Sequence, residues 1–297
     1  MRFHVVTGQG DRGTNEDCAR AVVIDGAALF LLADGLGGHG KGGEAARAVV
    51  ESFEGVFAEG AAAFVGSGEA DAASIAGESG SVGASAQALL GRGFAESQQA
   101  LLGRQRREGH PGDLKSTLVC LLICNGLACW GHIGDSRLYR FRGPRLEYRT
   151  RDHSVPEKLA ASGEIREKEI RFHEDRARLL RAMGADWASC GGYDISPCEP
   201  VSPGDGFLLC SDGFWELVSE KEMSRLRKKH ADAEGWLECM EAVVVGRGSR
   251  KGAVAGGAWT HLRRRQESSS DAMRRTPGTR VSPSKLDNYS AIAVTMA

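Results

Sequence analysis

The chain has 297 residues, 41% of them hydrophobic, enough to bury a real core and to exclude a disordered polymer. A formal net charge of −1 excludes a whole-chain electrostatic commitment to nucleic acid or anionic lipid. The charge is uneven: residues 246–285 hold ten Lys/Arg against two Asp/Glu, a net +8 that leaves −9 for the remainder.

Eight cysteines (Cys18, Cys120, Cys124, Cys129, Cys190, Cys198, Cys210 and Cys239) contain no Cys-x-x-Cys pair and no His-rich ligand spacing. Several lie in apolar runs, where a thiol acts as a small hydrophobe. Free thiols in a reducing cytosol are expected, not a disulfide framework or a structural zinc. Met1-Arg2-Phe3-His4 leads directly into a polar turn with no signal-peptide core. The longest apolar runs, Ala27–Ala33 and Leu118–Cys124, are too short to span a bilayer. The expectation is a soluble, cytoplasmic protein.

In chain order, short apolar and β-branched runs occur at 3–7, 18–24, 28–33, 117–124, 127–133, 137–141, 207–211 and 289–295. Gly, Asp and Asn punctuate them, which predicts largely antiparallel strands with hairpin connections. Helical periodicity interrupts at 43–58, through Ala46, Val49, Val50, Phe53 and Phe57, and at about 84–107, through Leu89, Leu90, Phe94, Leu101 and Leu102. The intervening 59–83 is almost all Ala, Gly, Ser and Glu and reads as a loose loop. The polar stretch 152–187, with short helical signals at Val155–Ser162 and Arg178–Met183, reads as a small inserted flap subdomain. Helical patterns return at 219–230 and 234–245. The basic segment 246–285 then reads as a disordered insertion, and Tyr289–Thr295 as a last strand. The whole predicts one α+β domain over 1–297: two packed, mainly antiparallel β-sheets flanked by helices, an α-β-β-α sandwich.

Four aspartates sit in turn-like contexts at strand ends: Asp34 in LLADGLGGHG, Asp135 in GHIGDSR, Asp212 in LLCSDGFWE and Asp287 in LDNYS. Each alone could be a turn former. Gathered by a rigid sheet, they would repel unless hard divalent cations sat among them, and Mg²⁺ or Mn²⁺ prefer such an all-oxygen environment. The glycines after Asp34 let the backbone approach a ligand and place a carbonyl where it can itself bind metal. Arg12-x-x-Asn15-Glu16-Asp17 is a weaker signal, since such a turn is often only a turn.

Together, and in this order, these motifs resemble the metal-dependent serine/threonine protein phosphatases of type 2C, in particular their bacterial branch. The stretches that carry the resemblance are GDRGTNED, LLADGLGGHGKGGEAA, KSTLVCLLICNGLACWGHIGDSRLYRFR, TRDHSVPEKLAASGEI, LLRAMG, GDGFLLCSDGFWELVS and LDNYSAIAV. The resemblance implies hydrolysis of phosphoserine and phosphothreonine in proteins by a water activated at a two- or three-metal site, reversing a Ser/Thr kinase. By the same resemblance Asp34 bridges two Mn²⁺ or Mg²⁺ ions, the Gly35 carbonyl completes one, and Asp212 and Asp287 bind the other. Asp135 is implied as ligand of a third, weaker ion. Arg12 is implied to hold the substrate phosphate, Glu16 and Asp17 to orient waters around the ions, and Thr117 and Asn288 to line the cluster.

The chain departs from the family in two places. Members outside the bacterial branch carry His directly after Asp-Gly, where this chain has Leu36. His39 is the bacterial alternative as proton donor, with a water and a purely structural His39 as competitors. His153 reads as structural. The second departure is the basic 246–285 segment, where relatives use a short turn. A lengthened loop costs only about 0.6 kcal/mol per doubling, so Asp287 can still reach the cluster. The segment is read as a solvated loop, with docking of an acidic partner as the sharper possibility. Nucleic acid binding is not expected. A catalytically weak, phosphatase-like regulatory or binding module is the alternative function.

Overall fold

Uninterrupted apolar runs become strands when both faces of a sheet are covered, and alternation then sorts residues between two cores. The computed structural model of the chain describes residues 1–24, 26–37, 41–61, 75–109, 112–253 and 286–296. In chain order its elements are β1 (Arg2–Gly8), β2 (Asp17–Ile24), β3 (Ala27–Leu36), α1 (Lys41–Gly60), α2 (Ile75–Glu108), β4 (Lys115–Ser116), β5 (Leu118–Cys124), β6 (Leu127–Ile133), β7 (Arg137–Arg142) and β8 (Arg145–Arg149). They continue with α3 (Val155–Ala161), a 3₁₀ turn (Glu167–Phe172), α4 (Trp187–Cys190), β9 (Asp194–Ile195), β10 (Glu199–Pro200), β11 (Asp205–Cys210), α5 (Asp212–Trp215), α6 (Glu220–Lys229), α7 (Ala233–Ala253) and β12 (Tyr289–Thr295).

One sheet has the order β1-β12-β11-β7-β8; the other has β10-β6-β5-β3-β2, with β4 and β9 added at its margins. Every pairing is antiparallel. The β5–β6 hairpin turns on Asn125 and Gly126, both at positive φ (46° and 72°), the geometry that matches the twist of the flanking strands. Between the sheets lie Phe30, Leu32, Leu121 and Trp130 against Leu138, Phe207, Leu209 and Ile292. The alternate residues Leu29, Leu31, Leu118 and Leu122 face outward onto Val49, Phe53 and Phe94 of α1 and α2. On the opposite side Leu208, Cys210 and Ala293 meet Trp215, Trp236 and Met240. Each fully buried Leu, Ile or Phe contributes about 1.5–3 kcal/mol, so three such layers dominate the stability. This is the expected α-β-β-α sandwich.

Three local expectations are corrected. The loop predicted over 59–83 is invaded by helix from both sides, since α1 runs to Gly60 and α2 begins at Ile75; residues 62–74 lie outside the described residues. Alanines favour helix there without any apolar periodicity to announce it. α7 extends to Ala253, so the first turns of the basic segment are helical, while 254–285 lie outside the described residues. The helix expected at Arg178–Met183 is extended chain. Its backbone is used elsewhere: Met183 N–H donates to Ser116 O (2.8 Å) and Leu180 N–H to His153 O (2.7 Å).

The registers place the site. Asp17 pairs directly with Asp34 at the β2–β3 end. Cys210 pairs with both Ala291 and Arg137, bringing the segments that carry Asp212, Asp287 and Asp135 to the same end of the other sheet.

Candidate metal centre

Backbone bonds fix the strand end that carries Asp34. Its N–H donates to Thr117 Oγ1 (2.9 Å), while its carbonyl accepts from Thr117 N–H (2.8 Å) and Ser116 Oγ (2.9 Å). Thr117 Oγ1 also contacts Ser136 Oγ at 2.7 Å, tying Asp34 to the turn that carries Asp135. Gly35 N–H donates to Glu16 O. A Cβ on Gly35 would lie 2.1 Å from the Gly42 backbone, so only glycine lets β3 run so close to the start of α1.

Asn288 holds the N-terminal loop against the sheet. Its amide donates to Gln9 O (2.8 Å) and Thr14 O (3.0 Å), and its side-chain oxygen accepts from Glu16 N–H (3.0 Å). Ser211 Oγ donates to Asp17 Oδ2 (2.9 Å). Arg12 sits at the open side of the cluster with its guanidinium on Asp287, 2.6 Å away.

The electrostatics show one interacting group. Burial pushes the Asp34 carboxyl well above its ordinary range, and Asp17, Asp212, Asp135 and Asp287 add to the shift. Asp135, 4% exposed, is also held well above that range by burial first and Asp212 second, with Arg137 opposing. Asp212 is raised by burial and by Asp287. Asp17 is pushed up to about 6, chiefly by burial, and its Oδ1 is buried with no hydrogen-bond partner. Buried carboxylates that raise one another, with an orphaned oxygen among them, have the donor chemistry of a hard divalent cation site.

The structure therefore brings together Asp34, Asp135, Asp212 and Asp287, with Gly35, Thr117, Glu16 and Asn288 alongside and Arg12 at the rim. Asp17, expected to orient waters around the ions, has its carboxyl within reach of Asp34 and Asp212. His39 lies outside the described residues.

His153 is not in the cluster. It stacks on His132 (ring centroids 4.6 Å apart) and sits 3.0 Å from Asp194, a group that could in principle hold a metal. Its Nδ1 accepts from Gly134 N–H (3.2 Å), which leaves the proton on Nε2 to face Asp194, and Arg181 stands 3.4 Å from that nitrogen. Those contacts occupy the ring as a structural support and put a cation where a metal would bind.

With this geometry in place, comparison with known proteins identifies the chain's relatives. The protein phosphatase 2C family model matches residues 8–244. The chain belongs to that family. The Mycobacterium tuberculosis serine/threonine protein phosphatase PstP is 28% identical over 240 residues, covering 80% of this chain and 40% of the relative. The Listeria monocytogenes serotype 4b serine/threonine phosphatase stp is 25% identical over 205 residues, 69% of this chain and 73% of the relative. The chain thus spans about 40% of the length of the mycobacterial relative. Among solved structures, the M. tuberculosis phosphatase PstP/Ppp superposes with a TM-score of 0.69 at 21% identity, covering 99% of this chain and 98% of that one. A PstP catalytic domain in complex with two manganese ions gives 0.66 at 22% identity, covering 100% of this chain and 98% of that one. These likenesses carry the type 2C phosphatase fold.

Sequence reasoning missed the supports of the site: Ser211 beneath Asp17, Trp215 against Asp135, and Arg137 stacked on Trp215. The Ser-Asp-Gly-Phe-Trp run was visible, but nothing local says which carbonyl an indole will reach.

Proposed function

We propose that the chain is a divalent-cation-dependent phosphatase of phosphoserine and phosphothreonine in proteins, opposing a Ser/Thr kinase. The observation that carries this reading is the convergence of mutually raised carboxyls at one end of the sandwich beside an open-side arginine. The relatives' names as serine/threonine phosphatases and the two manganese ions in the PstP catalytic domain support it. Asp34 would hold two ions, with the Gly35 carbonyl on one and Asp212 and Asp287 on the other, and Asp135 would hold a third. When bound, such Mn²⁺ or Mg²⁺ ions supply Lewis acidity toward a water nucleophile and the phosphoryl oxygens.

The chain's own residues do the rest. Arg12 offers a planar set of N–H donors at the open side, suited to bidentate capture of a phosphate dianion once it shares or leaves Asp287. Glu16 and Asp17 would orient waters around such ions. The departing serine or threonine oxygen needs a proton, a contribution of roughly 10²–10⁴-fold. His39 and water compete for that role, and the pH profile of His39→Gln separates them.

The test is hydrolysis of a phosphothreonine peptide by chelator-stripped protein before and after Mn²⁺ is added back. Activity should appear only with the cation, and Arg12→Ala should raise KM more than it lowers kcat. Undiminished turnover in excess chelator would overturn the reading.

A further inference from the structure

Trp215 is buried, at 1% exposed, and closes the single helical turn of α5 that Asp212 opens. Its indole N–H donates to the main-chain oxygen of Asp135 at 3.0 Å. The Arg137 guanidinium sits over the ring, its carbon 3.4 Å from the centroid. Arg137 is itself held by Asp152 through two bonds, Nε–Oδ1 at 2.8 Å and Nη2–Oδ2 at 2.7 Å, and by a third to Tyr139 OH at 3.1 Å. Arg137 and Asp152 are 3% and 1% exposed in their side chains, so this pair is fully enclosed.

The turn carrying Asp135 has tethers on either side. Gly134 N–H donates to His153 Nδ1, and Ser136 Oγ meets Thr117. Among the described residues the Asp135 peptide's own tether is the one to Trp215, and it leads to the same short helix as Asp212. A buried indole must bond to something, and any carbonyl would satisfy it. The carbonyl chosen here belongs to one carboxylate of the cluster, and the helix carrying the donor begins with another.

We propose that Trp215 is a positioning residue: its N–H sets Asp135 relative to Asp212, and the Asp152–Arg137 pair clamps the indole in that pose. The inference rests on the reading of Asp135 and Asp212 as cation ligands. Its consequence is that loss of the N–H loosens the cation held by Asp135 while sparing those held by Asp34, Asp212 and Asp287.

The experiment is Mn²⁺ titration of the full chain by calorimetry, without substrate, beside phosphopeptide kinetics. The proteins compared are wild type, Asp135→Asn, Trp215→Phe, and each change combined. Because Trp215→Phe leaves a gap in the core, a chain with β-(3-benzothienyl)alanine at 215 is measured too; it keeps the ring shape and lacks only the N–H. Loss of one hydrogen bond predicts roughly tenfold weaker binding at the weakest Mn²⁺ site, with the tighter sites unchanged. kcat should fall with KM unchanged, and neither replacement should add to the loss already caused by Asp135→Asn. Equal weakening of every site, an effect that persists in the Asp135→Asn background, or an untouched weak site would overturn the inference and leave Trp215 a packing residue. If Asp135→Asn itself alters no Mn²⁺ site, the ligand reading of Asp135 fails first, and the inference falls with it.

Discussion

Two groups of enclosed carboxylates occur in this molecule, and they are built oppositely. At the strand ends Asp17, Asp34, Asp135 and Asp212 press on one another, and each is pushed above its ordinary range by burial and by like charge. At the base of the 152–187 segment, Asp152 and Glu157 are also enclosed, but the charged side chains that pair with them are arginines. Asp152 is held bidentately by Arg137, with Arg149 at 3.5 Å, and Glu157 takes Arg149 at 3.1 Å and Arg151 at 2.9 Å. Both groups are buried acid. The difference is whether the chain supplies the neutralising charge. Where it does, the acids are fasteners; where it does not, the charge must come from outside, and that is what marks a site.

The comparison is sharpest in the sign of mutational effects. Asp34→Asn or Asp212→Asn should reduce phosphopeptide turnover by more than about 10²–10³-fold, the scale of losing an electrostatic stabiliser. In chelator the same variants should be more stable than wild type, on the order of 1 kcal/mol, because a like charge has left the cluster. Urea unfolding in chelator measures this; a lower midpoint for both variants would show that the cluster needs no external cation.

Removing an acid from the other group should do the reverse. Asp152→Leu leaves buried Arg137 with Glu220, 3.7 Å away, as its remaining carboxylate, and should cost about 3–5 kcal/mol in either chelator or Mn²⁺. The double change Arg137→Met with Asp152→Leu should recover a large part of that loss in stability, since two apolar groups can replace a buried pair. If the double variant is no better than the single one, the pair is not what neutralises this region.

A buried base flanks the second group and gives a pH test. Burial pushes His132 down to about 4, with the His153 ring adding to the shift, while the Arg151 carbonyl, Asp194 and Asp152 oppose it. A depressed folded value means stability that is present above the unfolded value near 6.5 and lost as pH falls through about 4. The full effect is about 3 kcal/mol. His132→Gln should therefore flatten the stability profile between these limits, and parallel profiles for the two proteins would remove His132 from the account.

How far the sequence disclosed this arrangement follows from what each residue depends on. The strands were legible because β3, β5 and β11 are covered on both faces and so read as unbroken apolar runs. β8 was missed because Arg145–Arg149 is a polar edge strand, with Tyr148 40% exposed. The first turns of α2 carry too little apolar pattern to declare themselves. The aspartates were legible as strand-end acids, and their roles came from resemblance. The Asp17–Asp34 juxtaposition and the Arg137–Asp152 pair are tertiary facts. They depend on strand register and on chain fifteen residues apart, for which no local signal exists.

The basic segment is the smallest expected effect and sets the acidic body against its one cationic stretch. Residues 254–285 carry many Gly and Ser, few large apolar side chains and seven Lys/Arg against two Asp/Glu. The junctions on either side are secured independently. Asp11 N–H donates to Leu286 O and Leu286 N–H to Asp11 Oδ2, at 2.8 and 2.7 Å, and Arg247 pairs with Glu222. Replacing 254–285 by a short Gly-Ser linker should thus leave thermal stability and hydrolysis of a small aryl phosphate nearly unchanged. Asp287 still enters β12 from a fixed point. If the stretch docks acidic partners, the deletion should slow turnover of a long acidic phosphoprotein, and added salt should mimic it in the full chain, since the Debye length falls to about 3 Å at 1 M. Equal rates on acidic and neutral substrates for both proteins would reduce the stretch to a spacer. Loss of folding would show that it contributes to the core, against every feature of its composition.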